Sequence, residues 1–196
     1  ALINRGLIYL SKKDKANALT DLEKAHTIKP HIKEIWHLVL NLKMEVTQFE
    51  HAISIAEEMV KIDPFDEKII ASIALCHQYL KNNDQAIDFY NKAIRIKPDY
   101  FEAHNNMGNA LHGQHKFKEA VLAFSNAVSI KPDFAEAHNN MGLSLHHKGT
   151  PGDAIVAYKK ALSIEPNNSM SWNNIFFPLQ AIKTQVASGS ELTSYL

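Results

Sequence analysis

The residues of this 196-residue chain with the readiest chemistry are eleven histidines, one cysteine and a recurring set of asparagines. His112 with His115, and His146 with His147, have the closeness from which a metal site could start. Neither pair has cysteine or carboxylate company at ligand spacing, so no metal and no cofactor are expected. Cys76 falls in a helical stretch and reads as a small buried hydrophobe; alone, it forms no internal disulfide. The sequence has no G-x-S-x-G elbow, phosphate loop, H-E-x-x-H, dinucleotide fingerprint or C-x-x-C, so the chain itself is not expected to be an enzyme. The asparagines are more informative. Asn105 and Asn106, Asn139 and Asn140, and Asn173 and Asn174 recur at a fixed interval, while Asn4 stands alone near the start and Asn41 and Asn109 share a column one turn later. Asparagine is a poor helix former because its amide competes with the backbone, so its return at mid-helix positions calls for a reason. An amide offers one acceptor and two donors, a set that pairs with the C=O and N–H of an extended peptide whatever its side chains.

The elements that must carry these amides follow from a period. Pro30, Pro64, Pro98, Pro132 and Pro166 are evenly spaced and define a 34-residue period. Twelve residues before each proline stand Ala18, Ala52, Ala86, Ala120 and Ala154. Eight before it come Leu22, Ala56, Tyr90, Phe124 and Tyr158, and twenty-four before it Gly6, Leu40, Ala74, Gly108 and Gly142. Residues 101–134 and 135–168 are identical at 15 of 34 positions, so they must be the same structural unit. Each block reads as two helices. His104, Met107, Gly108 and Leu111 form one amphipathic stripe, and Phe117, Ala120, Val121, Phe124, Ala127 and Val128 form the next, which the following proline ends. Capping-box spacing is expected at Asp99/Glu102 and Asp133/Glu136 before the first helices, and at Thr47/Glu50 and Thr150/Asp153 before the second, with Pro151 as a first-turn proline. Small residues in the Gly108 and Ala120 columns let the two backbones approach, while the aromatic column fills the space between pairs.

The 34-residue period, these columns and phrases such as "EAHNNMGNAL" resemble the tetratricopeptide repeat family. The resemblance covers residues 1 to about 168 and, in degenerate form, the helix beyond. It implies an all-α fold, an alpha-alpha superhelix: a solenoid of antiparallel helix pairs. Five repeats are expected over 1–168: 1–32 truncated at its start, 33–66 degenerate, then 67–100, 101–134 and 135–168. Block 33–66 departs most, with Leu40 and Ala56 where Gly and an aromatic are usual. Residues 169–196 begin like another first helix, but Pro178 should kink it and Ser188-Gly189-Ser190 replaces the second helix. This segment is expected to be a capping helix or the junction to a further domain. Ala1 falls inside the first helix of a repeat, so the chain is expected to be a fragment.

A helical wheel sets the asparagine columns opposite the packing stripe, on an exposed face that in this family lines the concave groove. The pattern resembles the asparagine ladder of O-linked N-acetylglucosamine transferase arrays. The expected function is therefore a non-catalytic protein-interaction scaffold, binding a protein or extended peptide through Asn105, Asn106, Asn109, Asn139, Asn140, Asn173 and Asn174, with His112, His146 and His147 at the rim. The alternative is a substrate-recruiting fragment of a larger glycosyl-, sulfo- or methyltransferase. Residues 103–115 and 137–147 carry no Lys, Arg, Asp or Glu, so the groove is expected to be neutral and a terminal acidic tail a poor ligand. Twenty-one basic residues balance twenty-one acidic ones, which argues against nucleic acid as a partner. No apolar run suits a membrane span and the start lacks the order of a signal peptide, so no membrane partner and a cytoplasmic location are expected. Self-association through the ends of the array is a further structural reading.

Overall fold

The structure is a computed structural model that describes residues 1–29 and 32–187. Pro30 of the proline series and the Ser188-Gly189-Ser190 segment lie outside the described residues. All regular elements of the described residues are α-helices, and they fall into two compact units, residues 1–96 and 97–196.

The first unit contains α1 (Leu2–Ser11), α2 (Lys15–Ile28), α3 (Lys33–Glu45), α4 (Phe49–Ile62), α5 (Glu67–Tyr79) and α6 (Asn83–Ile96). Its core lies between successive helices. Ala18, Leu19 and Leu22 of α2 are buried with Ile35, Val39 and Leu42 of α3, and Trp36 and Leu40 of α3 with Ala52, Ala56 and Met59 of α4 and Ile69, Ile73 and Cys76 of α5. Each fully buried aliphatic side chain contributes about 1.5–3 kcal/mol through removal of apolar surface from water. The departure at Leu40 is a volume exchange. Elsewhere a small residue on the first helix faces a bulky one on the second; here Leu40 and Ala56 are both fully buried in one cluster, with the large side chain moved to the first helix. Asp21 is buried and accepts from Arg5 Nη2 at 2.7 Å. That guanidinium holds the Asp21 carboxyl below the usual carboxylate range.

The second unit contains α7 (Phe101–Gly113), α8 (Phe117–Ile130), α9 (Ala135–Lys148), α10 (Pro151–Ile164) and α11 (Ser169–Ala187). The first helices α7, α9 and α11 start at the same point of successive blocks, as do the second helices α8 and α10. α8 packs on α7 and α9, and α10 on α9 and α11, which leaves α7, α9 and α11 side by side as one row. The small column explains the close approach: a Cβ on Gly108 would meet the Phe124 ring at 2.6 Å, and one on Gly142 the Tyr158 ring at 2.8 Å. Each turn between paired helices contains a left-handed residue, at Lys13, Thr47, Lys81, His115 and Gly149, again in the same column of every block.

Three local expectations change; the first is at α4, where Gln48 rather than Thr47 is the N-cap and no side-chain cap forms. α7 and α9 start one residue later than the capping boxes require, with Tyr100 and Phe134 at the N-cap and no side-chain cap. Thr150 is the N-cap of α10 ahead of Pro151, yet its hydroxyl donates back to the Leu145 carbonyl rather than capping. Side-chain caps form instead at Asp14, which accepts from the Asn17 amide, and at Asp66, which accepts from the amides of Lys68 and Ile69. α11 continues through Pro178, whose ring is fully buried.

Candidate functional site

The row of α7, α9 and α11 carries the asparagines, and the backbone phase divides them into two sets. Asn105 and Asn139 are 2% and 3% exposed, whereas Asn106, Asn109, Asn140 and Asn174 are half-buried and Asn173 is exposed. The expectation that all seven face a groove is thus corrected for Asn105 and Asn139. One residue is about 100° of helix, enough to turn these two into the seam between neighbouring first helices.

In that seam each buried amide is saturated. Asn105 Nδ2 donates to Glu136 Oε1 at 3.1 Å and to Asn106 Oδ1 at 3.4 Å, while its Oδ1 accepts from Asn140 Nδ2 at 3.3 Å. Asn139 repeats the arrangement one helix on. Its Nδ2 donates to Asn140 Oδ1 at 3.4 Å and approaches Met170 Sδ at 3.7 Å, and its Oδ1 accepts from Ser171 Oγ at 3.1 Å and Asn174 Nδ2 at 3.2 Å. The result is a chain of amides, Asn106 to Asn105 to Asn140 to Asn139 to Asn174, that ties three helices together. Asn140 and Asn174 each commit one N–H to it. Their second N–H, both N–H groups of Asn106, and Asn109 with Asn173 have no protein partner among the described residues. Hydrogen bonding on one side fixes the orientation of the Asn140 and Asn174 amides.

Met170 and Ser171 were not singled out by sequence reasoning, and Glu136 only as a capping-box partner of Asp133, because each is 31 or 32 residues from the asparagine it meets. Ser144 had a signal. It is a serine one block after Ala110 and fully buried, and it meets His112 Nδ1 at 2.8 Å. His104, His138 and Trp172 stand at the 34-residue interval, and a ring nitrogen of each lies 2.9–3.0 Å from the carbonyl of Pro98, Pro132 or Pro166 in turn.

At the end of α7 and α9 the rim histidines come together with Phe117. His112, His115 and His147 lie 5.1, 5.7 and 5.2 Å from its ring, centre to centre, and His146 lies 5.7 Å from His147. Burial and the neighbouring imidazoles push His112 and His147 below the ordinary histidine pKa. The rings pack on one another instead of converging; among the described residues no group of three or more His, Cys, Asp or Glu could hold a metal ion. Lys116, Lys118 and Lys148 begin where the uncharged segments stop, and the fold brings them to the same recess as His115 and His147.

In the first unit, Asn4 of α1 and Asn41 of α3 are exposed, and the column that holds Asn106 and Asn140 has Leu38 and Ser72, so no amide chain forms there. Cys76 is buried, with its thiol pushed up to about 11 by desolvation, as expected of a packing residue. No helix of the described residues is long and apolar enough to cross a membrane.

Comparison with known proteins agrees with this fold. Residues 79–115 and 113–149 match the family described as TPR repeat, and residues 1–32 and 135–168 match tetratricopeptide repeat. A curated relative, the small glutamine-rich tetratricopeptide repeat-containing protein 2 of Saccharomyces cerevisiae (strain ATCC 204508 / S288c), is 34% identical over 84 residues, or 43% of this chain. The match spans 24% of that relative. Among solved structures, MamA aligns with a TM-score of 0.75 at 23% identity, over 84% of this chain and 96% of its own. YrrB, described as a TPR protein with an unusual peptide-binding site, aligns with a TM-score of 0.69 at 19% identity, over 93% of this chain and 90% of its own. With the periodic register, the stacked helix pairs and family matches over more than half of its residues in agreement, the chain belongs to the tetratricopeptide repeat family.

Proposed function

We propose that this chain is a non-catalytic protein-interaction module that holds an extended polypeptide across α7, α9 and α11. The observation that carries the reading is the division of labour among the asparagines. Asn105 and Asn139 are buried and saturated, and they orient Asn140 and Asn174, whose remaining N–H and C=O groups, with those of Asn106, form a regularly spaced set of main-chain partners. Asn109 and Asn173 extend the same surface. Recognition of this kind reads backbone more than side chains, so it suits a partner segment that is extended and unstructured when free. The likeness to YrrB supports a peptide-binding role at the level of the fold. The chain contributes binding and no bond-making step.

The test is selection from a displayed library of random twelve-residue peptides, followed by titration of a selected peptide against Asn106→Ala with Asn140→Ala. Each lost amide contact should weaken binding by about 1 kcal/mol. Thermal melting serves as the control, because Asn140 also donates to Asn105. A double variant that stays folded and binds the selected peptides as tightly as the parent would overturn the reading.

A further inference from the structure

The recess beside Phe117 is a second, chemically different surface. Its volume is about 390 Å³, and His115, Lys116, Lys118, His147 and Lys148 line it with Phe117 and a carboxylate, Glu119. All three ammonium groups are exposed, and none has an ion-pair partner among the described residues. His112 and His146 stand behind, through ring contacts with His147. Five cationic or protonatable groups from the α7–α8 turn, α8 and α9 therefore line the recess with one carboxylate.

The patch is continuous with the amide row. His112 follows Asn105, His146 follows Asn139 and His147 follows Asn140 by seven residues, two turns along the same faces, or about 10 Å. Three residues of extended chain cover that distance. Lysine supplies flexible point charges instead of the fixed fork of arginine, so the recess has no preformed geometry for a bidentate ligand. It responds to charge density.

We propose that this recess binds a cluster of carboxylates, an acidic stretch about three residues from the segment on the amide row, and that its grip tightens as the histidines take up protons. The placement relative to the row rests on the peptide-binding reading above; the affinity for carboxylates does not. At neutral pH, Lys116, Lys118 and Lys148 provide the charge. As pH falls below the ordinary imidazole range of about 6.5, His147 and, behind it, His112 add to it; burial and the neighbouring imidazoles hold both below that range, and a bound anion offsets the repulsion. Glu119 is the opposing group, and Ser144 is the hydrogen-bond partner of His112 from α9.

The experiment measures binding of a capped tetraglutamate peptide and its tetraglutamine counterpart to the full chain at pH 5.5, 6.5 and 7.5 in low salt. Tetraglutamate should bind at least about threefold more tightly at pH 5.5 than at 7.5, and tetraglutamine should show no such gain. His115→Gln with His147→Gln should reduce the pH gain, and Lys118→Ala with Lys148→Ala should weaken binding at all three pH values. All four positions are exposed, so both variants should fold. Equal binding of the two peptides, or a pH gain undiminished in the histidine variant, would overturn the proposal. So would inorganic phosphate displacing tetraglutamate at lower concentration than free glutamate does, since it would mark a phosphate site. Asn106→Ala separates the two readings: if it leaves tetraglutamate binding intact while random-library peptides fail to bind any form, the amide row fails and the acidic recess stands.

Discussion

Gly142 and Lys81 show how single positions set the packing and the turns. Gly142 lies under the Tyr158 ring, where a Cβ would come within 2.8 Å of ring carbons that cannot swing away as a flexible chain end could. Alanine there gains about 1 kcal/mol of helix propensity and loses more to overpacking, so Gly142→Ala should destabilise the chain by about 1 kcal/mol or more. Lys81 has the opposite problem. Its φ of 65° is left-handed, which costs a side-chain-bearing residue about 1–2 kcal/mol, so Lys81→Gly should stabilise by roughly half to one kcal/mol. Urea unfolding of the two variants checks both signs; a stabilising Gly142→Ala would refute the close-approach account. The glycine column is legible in the sequence because only size matters there. The left-handed column is not, because lysine, threonine, histidine and glycine share it and only Gly149 advertises the conformation.

At the scale of elements, the amide chain is what holds α7, α9 and α11 in register beyond their apolar contacts. Asn139 satisfies groups on α9 and α11, and its removal leaves Ser171 and Asn174 without an acceptor. Asn139→Ala should therefore cost about 1–3 kcal/mol in unfolding free energy, whereas exposed Asn173→Ala should change it by less than about 0.5 kcal/mol. Denaturant titration of the pair distinguishes a structural seam from a set of solvated amides, which would make the two variants equivalent. The helix pairs themselves were readable, since proline spacing and the alanine and aromatic columns report packing directly. Two things were hidden. Helix starts shifted by one residue because Tyr100 and Phe134 occupy the N-cap positions, and the asparagine pairs split between seam and surface because adjacent residues differ by about 100° in facing. A column that recurs in every block reveals its importance, not the direction it points.

For the molecule as a whole, formal neutrality conceals local asymmetry. Lys and Arg equal Asp and Glu in number, yet the fold places three lysines and four histidines around Phe117 and keeps an uncharged amide surface two helical turns away. Segment-by-segment charge counting misses this, because the lysines come from the ends of windows that only the folded chain joins. In the first unit the equivalent columns hold Leu38 and Ser72, which confines the amide surface to the second. The central claim is that Asn106, Asn140 and Asn174 contact the main chain of a bound segment. Side-chain amide NMR of the ¹⁵N-labelled chain, titrated with a library-selected peptide, tests it most directly. The account predicts that the Nδ2 resonances of Asn106, Asn140 and Asn174 move with the peptide, while those of the exposed Asn17, Asn91 and Asn126 on second helices stay in place. Binding that moves the second-helix asparagines and leaves the α7, α9 and α11 amides unshifted would contradict it.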